Sequence, residues 1–506
     1  MTEKSVIIIG AGLAGLATGC YARMNGYEAR IFEHGSKSGG VAAAWRRKDY
    51  LIDGGLNFLM GHRPGQRTYD LYRELGVFES NRVLDMETYM EYVDQAGNRA
   101  LKVGTDLGRL AEDMKAISPA DSRAIDEFIS AARAFQGYDF GEGMDTAPEL
   151  MGFGGGIRQM WGMRRIFKYM FGKFGKSVSE YSRGFRDPWL REVINYVFLP
   201  EVPVWFVLML LGLLADHQLG HVEGGFLDFV QAIEKRYRDL GGELTFMATV
   251  EKILTDDDQA VGIRLADGVE HPADVIVSAA DGYSTIYDML EGRYTNGKID
   301  ERYKNWKLFR PIMMISYGVA REFGGEAPIG LIKLARPMEI GGERVEWISH
   351  RIFNYSRKFA PQGKTVCQVL FETSWDYWND LQAKDRAAYD AAKERVAAET
   401  LARLEERYPG IASQVEMTDV ATPYTTWRYT RNRRGAFEGF QITPKAVMTR
   451  IPKTLPGLRD FYMAGQWVMP GGGVPPCLYS GKHVVQLMCK KDGKAFVQSL
   501  CRGPQA

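Results

Sequence analysis

A β-branched run that breaks into a glycine turn constrains this chain more than any other feature. Ser5–Ile9 reads as a strand buried on both faces, and Gly10-Ala11-Gly12-Leu13-Ala14-Gly15 follows it directly. In such a turn the first glycine permits the tight bend and the second lets a pyrophosphate approach the backbone. The third lets the next helix pack on the strand. That helix start offers free N–H groups and a partial positive charge to phosphates. A second apolar run, EARIFE, ends in Glu33, 23 residues after Gly10. A carboxylate there can accept hydrogen bonds from ribose hydroxyls. The glycine spacing continues to Gly19 and Gly26. GxGxxG alone is weak evidence, but this strand–turn–helix–strand context predicts an α/β, Rossmann-like fold that binds a dinucleotide.

Beyond Glu33 the chain reads HGSKSGGVAAAWRRKDYLIDGGLNFLMG. The Gly39-Gly40 doublet brings backbone close to something bulky, and YLIDGG reads as a strand entering a second glycine turn. A nicotinamide domain would return here to βαβ alternation, and this chain does not. Farther on, GGELTFMATVEKILTDDDQAVGIRLADGVEHPADVIVSAAD reads as a β-meander with turns at DDDQ and ADG, ending in a buried strand. Near the other end, LRDFYMAGQWVMPGGGVPPCLYSGKHVVQ (458–486) puts the bare backbone of Gly471–Gly473 at a helix start.

These blocks, in this order, resemble the phytoene desaturase and carotenoid isomerase family of FAD-dependent flavoproteins, and more distantly the amine oxidases. The N-terminal turn, Glu33, the glycine doublet and Asp53-Gly54-Gly55 match that family's order and spacing. Residues 458–486 look like its closing motif, and Gly224-Gly225 with the meander match inner blocks. TPYTTWRYTRNRRGAFEG (422–439) resembles a block between substrate sheet and flavin, while residues 85–220 match only loosely. The resemblance implies FAD held by Gly10, Ala11, Gly12, Ala14, Gly15, Glu33, Gly39, Gly40, Val41, Gly55, Val250, Gly465, Gln466, Gly473 and Val474. It implies that Val250 meets the adenine through its backbone. The closing helix would face the flavin's pyrimidine side, where negative charge develops on reduction. Two positions depart from the pattern: Val41 stands where the desaturases usually carry Arg, and Gln466 where the wider superfamily often carries an acid.

The implied architecture is that of the two-dinucleotide-binding-domain flavoproteins. A discontinuous FAD-binding domain takes residues 1–85, 220–292 and 450–497. An α+β substrate domain takes 86–219 and 293–449, with a helical, membrane-facing cap at 151–219. PIMMISYGVA (311–320), VEWISHRIF (345–353) and TVCQVLFETSW (365–375) read as strands, and KDRAAYDAAKERVAAETLARLEERYPG as a long solvated helix with a Pro-Gly stop. Residues 151–176 carry Arg158, Arg164, Arg165, Lys168, Lys173 and Lys176 with no acid. They interleave with Met160, Trp161, Met163, Ile166, Phe167, Met170, Phe171 and Phe174. This pattern suits either an interfacial helix, with apolar side chains in lipid and cations at headgroups, or a cap helix whose stripe packs internally. Val202–Leu214 is an apolar run of 13 residues. A membrane span needs about 20, so it reads as a core helix or a segment dipping into one leaflet.

Removing hydrogen from a hydrocarbon needs a hydride acceptor more than a catalytic triad, and no triad is visible. Asn57, Phe58, Trp467 and Pro475 are the candidates to flank the flavin and the reacting carbon. His217 and His221 have the i, i+4 spacing of a metal pair, but Gly220 intervenes and a solvated turn is expected instead; no metal is expected. Cys477 is read as packing. The five cysteines (Cys20, Cys367, Cys477, Cys489, Cys501) form no CxxC, which fits a reducing compartment. The 64 Lys and Arg nearly cancel 63 Asp and Glu, so nucleic acid is not an expected partner. The expectation is a cytoplasmic enzyme, peripheral at the inner membrane face. It would desaturate, isomerise or saturate a hydrophobic polyene or isoprenoid lipid by hydride transfer with the flavin. Two alternatives are an amine or small-molecule oxidase and a non-catalytic prenyl-lipid carrier on the same fold.

Overall fold

The computed structural model describes residues 3–55, 57–152 and 163–499. Strand β1 (Ser5–Ile9) leads through the glycine turn into helix α1 (Leu13–Met24) and back to β2 (Glu28–Phe32). Three later strands join them: β3 (Glu243–Thr245), β4 (Val275–Ser278) and β5 (Phe461–Met463). The order is β3-β2-β1-β4-β5, parallel throughout. The alternation of β1 explains its burial, because successive side chains leave opposite faces. Val6 and Ile8 pack among helices, including α1, Gly225–Asp239 and the closing helix Val474–Lys491. Ile7 and Ile9 pack against Ile253 and Ile263 of the antiparallel meander Val250–Asp256, Gln259–Leu265 and Glu270–Pro272.

The two ends of the chain meet at close range. A Cβ on Gly481 of the closing helix would lie 2.7 Å from Thr18 N and 2.8 Å from the Ala14 carbonyl. Only hydrogen fits where this helix crosses α1. Ser480 Oγ accepts the Gly465 N–H at 2.7 Å, fixing the turn after β5 to the same helix.

A seven-stranded sheet stands beside this layer, in the order Val415–Ala421, Ile312–Val319, Thr365–Glu372, Glu343–Ile352, Ile329–Ile340, Thr88–Asp94, Arg99–Gly104. One face is covered by Trp375–Lys384 and Arg386–Arg407, with Trp378, Tyr389 and Val396 in the shared core. The other side contributes Leu331, Trp347, Ser349 and Leu370 to a large cavity. Over the cavity lies a cap including Leu107–Ile117, Ser122–Arg133, Pro188–Asn195 and Val204–Ala215.

One open alternative is decided here, and two expectations need correction. Val204–Ala215 is a buried core helix, with all but Trp205 and Ala215 buried, so it offers no lipid-facing surface. The described part of 151–176 is not one helix. It forms three 3₁₀ turns, Met163–Arg165, Phe167–Tyr169 and Gly172–Gly175, because Phe171 is extended and Gly172 adopts a left-handed φ of 62°. Arg158, Met160 and Trp161 lie outside the described residues. The solvated turn expected at the histidines holds for His217, at φ 54°, but not for His221. His221 sits in strand Leu219–Val222, buried and stacked on Tyr355 with 4.3 Å between ring centres. Among the described residues no three ligating side chains group around a metal position.

Candidate active site

The cavity has a volume of about 1100 Å³. That exceeds the roughly 300–1,000 Å³ of an ordinary small-molecule pocket, leaving room for a dinucleotide and a second molecule. One end is walled by backbone. Gly10 takes φ 97° and donates its N–H to the Phe32 carbonyl at 2.8 Å, closing the turn from β1. A Cβ on Gly15 would stand 1.9 Å from the Gly10 carbonyl oxygen, so the third glycine lets α1 begin against the strand end. Gly39 donates to the Ala11 carbonyl at 2.9 Å, folding the doublet over the turn. Gly40, at φ 60°, faces Gly12 so closely that an added Cβ would be 3.4 Å from the Gly12 Cα.

Glu33 ends β2 with its carboxyl buried at the turn. Oε2 accepts from Ala11 N–H and Oε1 from Gly35 N–H, each at 2.6 Å. Burial raises this carboxyl above its ordinary range, opposed by those two donors. Each carboxylate oxygen accepts more than one hydrogen bond, so capacity for ribose hydroxyls remains.

The cavity is lined by Gly10, Gly12, Ala14, Glu33, Gly39, Gly40, Val41, Gly55, Val250, Gly465, Gln466, Gly473 and Val474. Ala11 and Gly15 stand behind it: Ala11 through its N–H to Glu33, Gly15 through the helix–strand contact. Gln466 donates from Nε2 to Asn432 Oδ1 at 3.3 Å. Gly473, at φ 82°, caps the closing helix and has no atom within 4 Å of an added Cβ. The side of its Cα that would carry a Cβ therefore faces open space.

Asn57, Phe58, Trp467 and Pro475 also line the cavity. Asn57 Oδ1 accepts from Arg351 Nη1 at 3.3 Å. Phe58 meets Tyr89 at 5.6 Å between rings. Trp467 is largely committed to packing, stacked on Tyr303 and edge-on to Phe440. Cys477 lines the wall with its thiol pushed up to about 12 by burial, a neutral packing group.

Two features escaped the sequence reading. Asp53 accepts Gly55 N–H and Phe226 N–H at 2.9 and 2.7 Å, while buried Arg351 donates to the Asp53 carbonyl at 2.9 Å and to Gln368. This network ties Gly55 and Asn57 to the seven-stranded sheet; its signal was an Arg in a strand otherwise reading as core. Glu438 and Asp281 are acids on the cavity wall. Asp281 accepts Ser284 and Arg433 N–H groups, and burial pushes it up to about 6. The signal for Glu438 was one acid inside GAFEGF.

A parallel sheet with its glycine turn, an acid at the end of its second strand and a second glycine loop from the far end of the chain defines a dinucleotide-dependent oxidoreductase architecture. The profile of the flavin containing amine oxidoreductases matches residues 13–489, and the chain belongs to that family. Its cofactor is FAD, and it is an FAD-dependent oxidoreductase. It is 26% identical to the neurosporene-forming phytoene desaturase of Rhodobacter capsulatus, over 95% of this chain and 93% of that protein. It is 22% identical to the chloroplastic prolycopene isomerase of Arabidopsis thaliana, over 94% of this chain and 81% of that one. A solved oxidoreductase from Methanosarcina mazei superposes with a TM-score of 0.60 at 17% identity, covering 95% of this chain and all of that one.

Proposed function

We propose that the chain desaturates, saturates or isomerises a hydrophobic polyene or isoprenoid lipid, with FAD supplying the hydride acceptor or donor. The observation carrying this reading is the second half of the cavity. Beyond the glycine wall its lining includes Phe58, Met60, Tyr89, Phe198, Phe206 and Trp347. Such a lining excludes water and suits a hydrocarbon, whose transfer from water gains roughly 0.8 kcal/mol per CH2-sized group. The names of the R. capsulatus and A. thaliana relatives point the same way.

In this reading residues 1–85, 220–292 and 450–497 form the FAD-binding unit and the remainder the substrate unit and cap. Ala11, Glu33, the glycines and Val250 hold the dinucleotide. Asn57, Phe58, Trp467 and Pro475 flank the flavin and the reacting carbon.

The reading includes peripheral membrane association through the turns at 163–175. Ile166 and Met170 line the cavity. Phe167 and Phe171, next along the chain, are 42% and 48% exposed, and their rings lie 4.9 Å apart. One thin wall thus has a cavity side and an outer side carrying paired aromatics beside Lys168 and Lys173. Among the described residues no helix is long and apolar enough to cross a membrane.

The test is anaerobic. FAD-loaded protein is mixed with phytoene or prolycopene in phospholipid vesicles, and flavin and polyene absorption are followed together. A changed polyene spectrum, with flavin bleaching in the oxidative direction, is the expected outcome. Rapid bleaching by simple amines with both polyenes untouched would refute the reading and favour an amine oxidase.

A further inference from the structure

Glu438 lies in the stretch Gly435–Ile442, beside Phe437, Phe440 and Ile442. This stretch is laid across the closing glycine loop. Gly471 donates its N–H to the Phe440 carbonyl at 2.8 Å. A Cβ on Gly472 would come within 2.7 Å of Glu438 Oε2, and the Gly473 N–H donates to the same carboxyl. Four residues on, Ile442 touches Gly471 and belongs to the core of the cap. The carboxyl therefore stands at the seam where the glycine-walled part of the cavity passes into the apolar part. The groups facing it are the Gly473 N–H and the neutral Cys477 thiol. Among the described residues no cation pairs with it. Burial pushes the carboxyl up to about 8, so it holds its proton at neutral pH.

Forming a carbon–carbon double bond removes two hydrogens in different forms. One leaves as hydride, with its electron pair, to the FAD. The other leaves as a proton, and its C–H electron pair becomes the new π bond. Saturation runs the same exchange backwards. From this placement we infer that Glu438 carries the proton, its carboxylate accepting it when a double bond forms and its acid donating it when one is saturated. The balance closes: the flavin gains two electrons with the hydride, Glu438 gains H⁺, and the substrate loses two hydrogens. The acid form prevails below about pH 8 and serves the donating direction; the base form prevails above it. This inference rests on the polyene reading.

The test compares wild type, Glu438→Gln and Glu438→Asp, all FAD-loaded and normalised by flavin absorbance, on phytoene in phosphatidylcholine vesicles from pH 6 to 9. The Gln variant is expected to lose about 100-fold or more in kcat with KM unchanged, a typical share for a positioned acid or base. The limb of the kcat profile that follows Glu438 should vanish in it, and Asp should restore part of the rate. A Gln variant keeping the wild-type kcat and profile overturns the inference. Should wild type turn over no polyene, the polyene reading itself fails. Infrared difference spectra of reduced minus oxidised flavin then decide on Glu438. A protonated-carboxyl band present in wild type and absent in Glu438→Gln supports a proton-carrying group at the flavin, and identical spectra refute it.

Discussion

Glu33 shows how one side chain joins fold to cofactor. Its two oxygens already hold two backbone donors, so replacing it touches the turn as well as the proposed ribose contact. Glu33→Gln puts an amide N–H against one of those donors. An unpaired buried donor costs about 1–3 kcal/mol, so FAD affinity should fall about 5- to 150-fold. Titration of the flavin-free protein by FAD fluorescence quenching checks this; an unchanged Kd would remove Glu33 from the nucleotide site. Gly15→Ala should be more severe, since its Cβ collides with the Gly10 carbonyl and nothing flexible can yield. That variant should lose bound flavin and melt at a lower temperature than wild type. These residues were legible because each performs a backbone task that only glycine, or an acid at that spacing, can perform. Glu438 was not legible, because nothing local shows that GAFEGF will be folded onto a loop more than thirty residues away.

The elements divide the same way. The β1–α1–β2 unit, the meander, the three long strands of the second sheet and Arg386–Arg407 follow from period and punctuation. The cap does not, because one apolar stripe suits a lipid surface or a protein core equally, and only tertiary packing chooses. It chose core for Val204–Ala215, Ile166 and Phe174, and left Phe167 and Phe171 outside. Replacing both exposed phenylalanines by Ser should abolish sedimentation with anionic vesicles while leaving flavin content intact. Equal sedimentation of variant and wild type would refute a lipid-facing role for these turns. Between elements, Arg351 binds Asp53, Gly55 and Asn57 to the sheet. Arg351→Met removes the buried donor to Gln368 Oε1 and should cost about 1–3 kcal/mol, read from urea unfolding.

At the scale of the molecule, buried titratable groups set how the flavin-free protein responds to pH. Burial holds His221 and His350 at about 4 and His483 at about 3. The unfolded chain takes up their protons near 6.5. Stability is therefore lost as pH falls below about 6.5, by up to about 1.4 kcal/mol per pH unit for each histidine. Glu438 works the other way: held at about 8 when folded, it keeps a proton that the unfolded chain releases near 4.3. Stability therefore rises as pH falls from 8 toward the histidine range. Melting temperature should peak near pH 6.5, and Glu438→Gln should flatten the alkaline decline. A wild-type melting temperature that climbs steadily to pH 9 would contradict the Glu438 assignment.

The crossing of the closing helix over α1 also sets a timetable. The glycine turn after β1 leaves the ribosome before β5 and the helix that touches Ala14 and Thr18. At about 5–20 residues per second, roughly 25–100 seconds separate these events. Should both glycine loops hold the flavin, its capture follows synthesis of the closing helix.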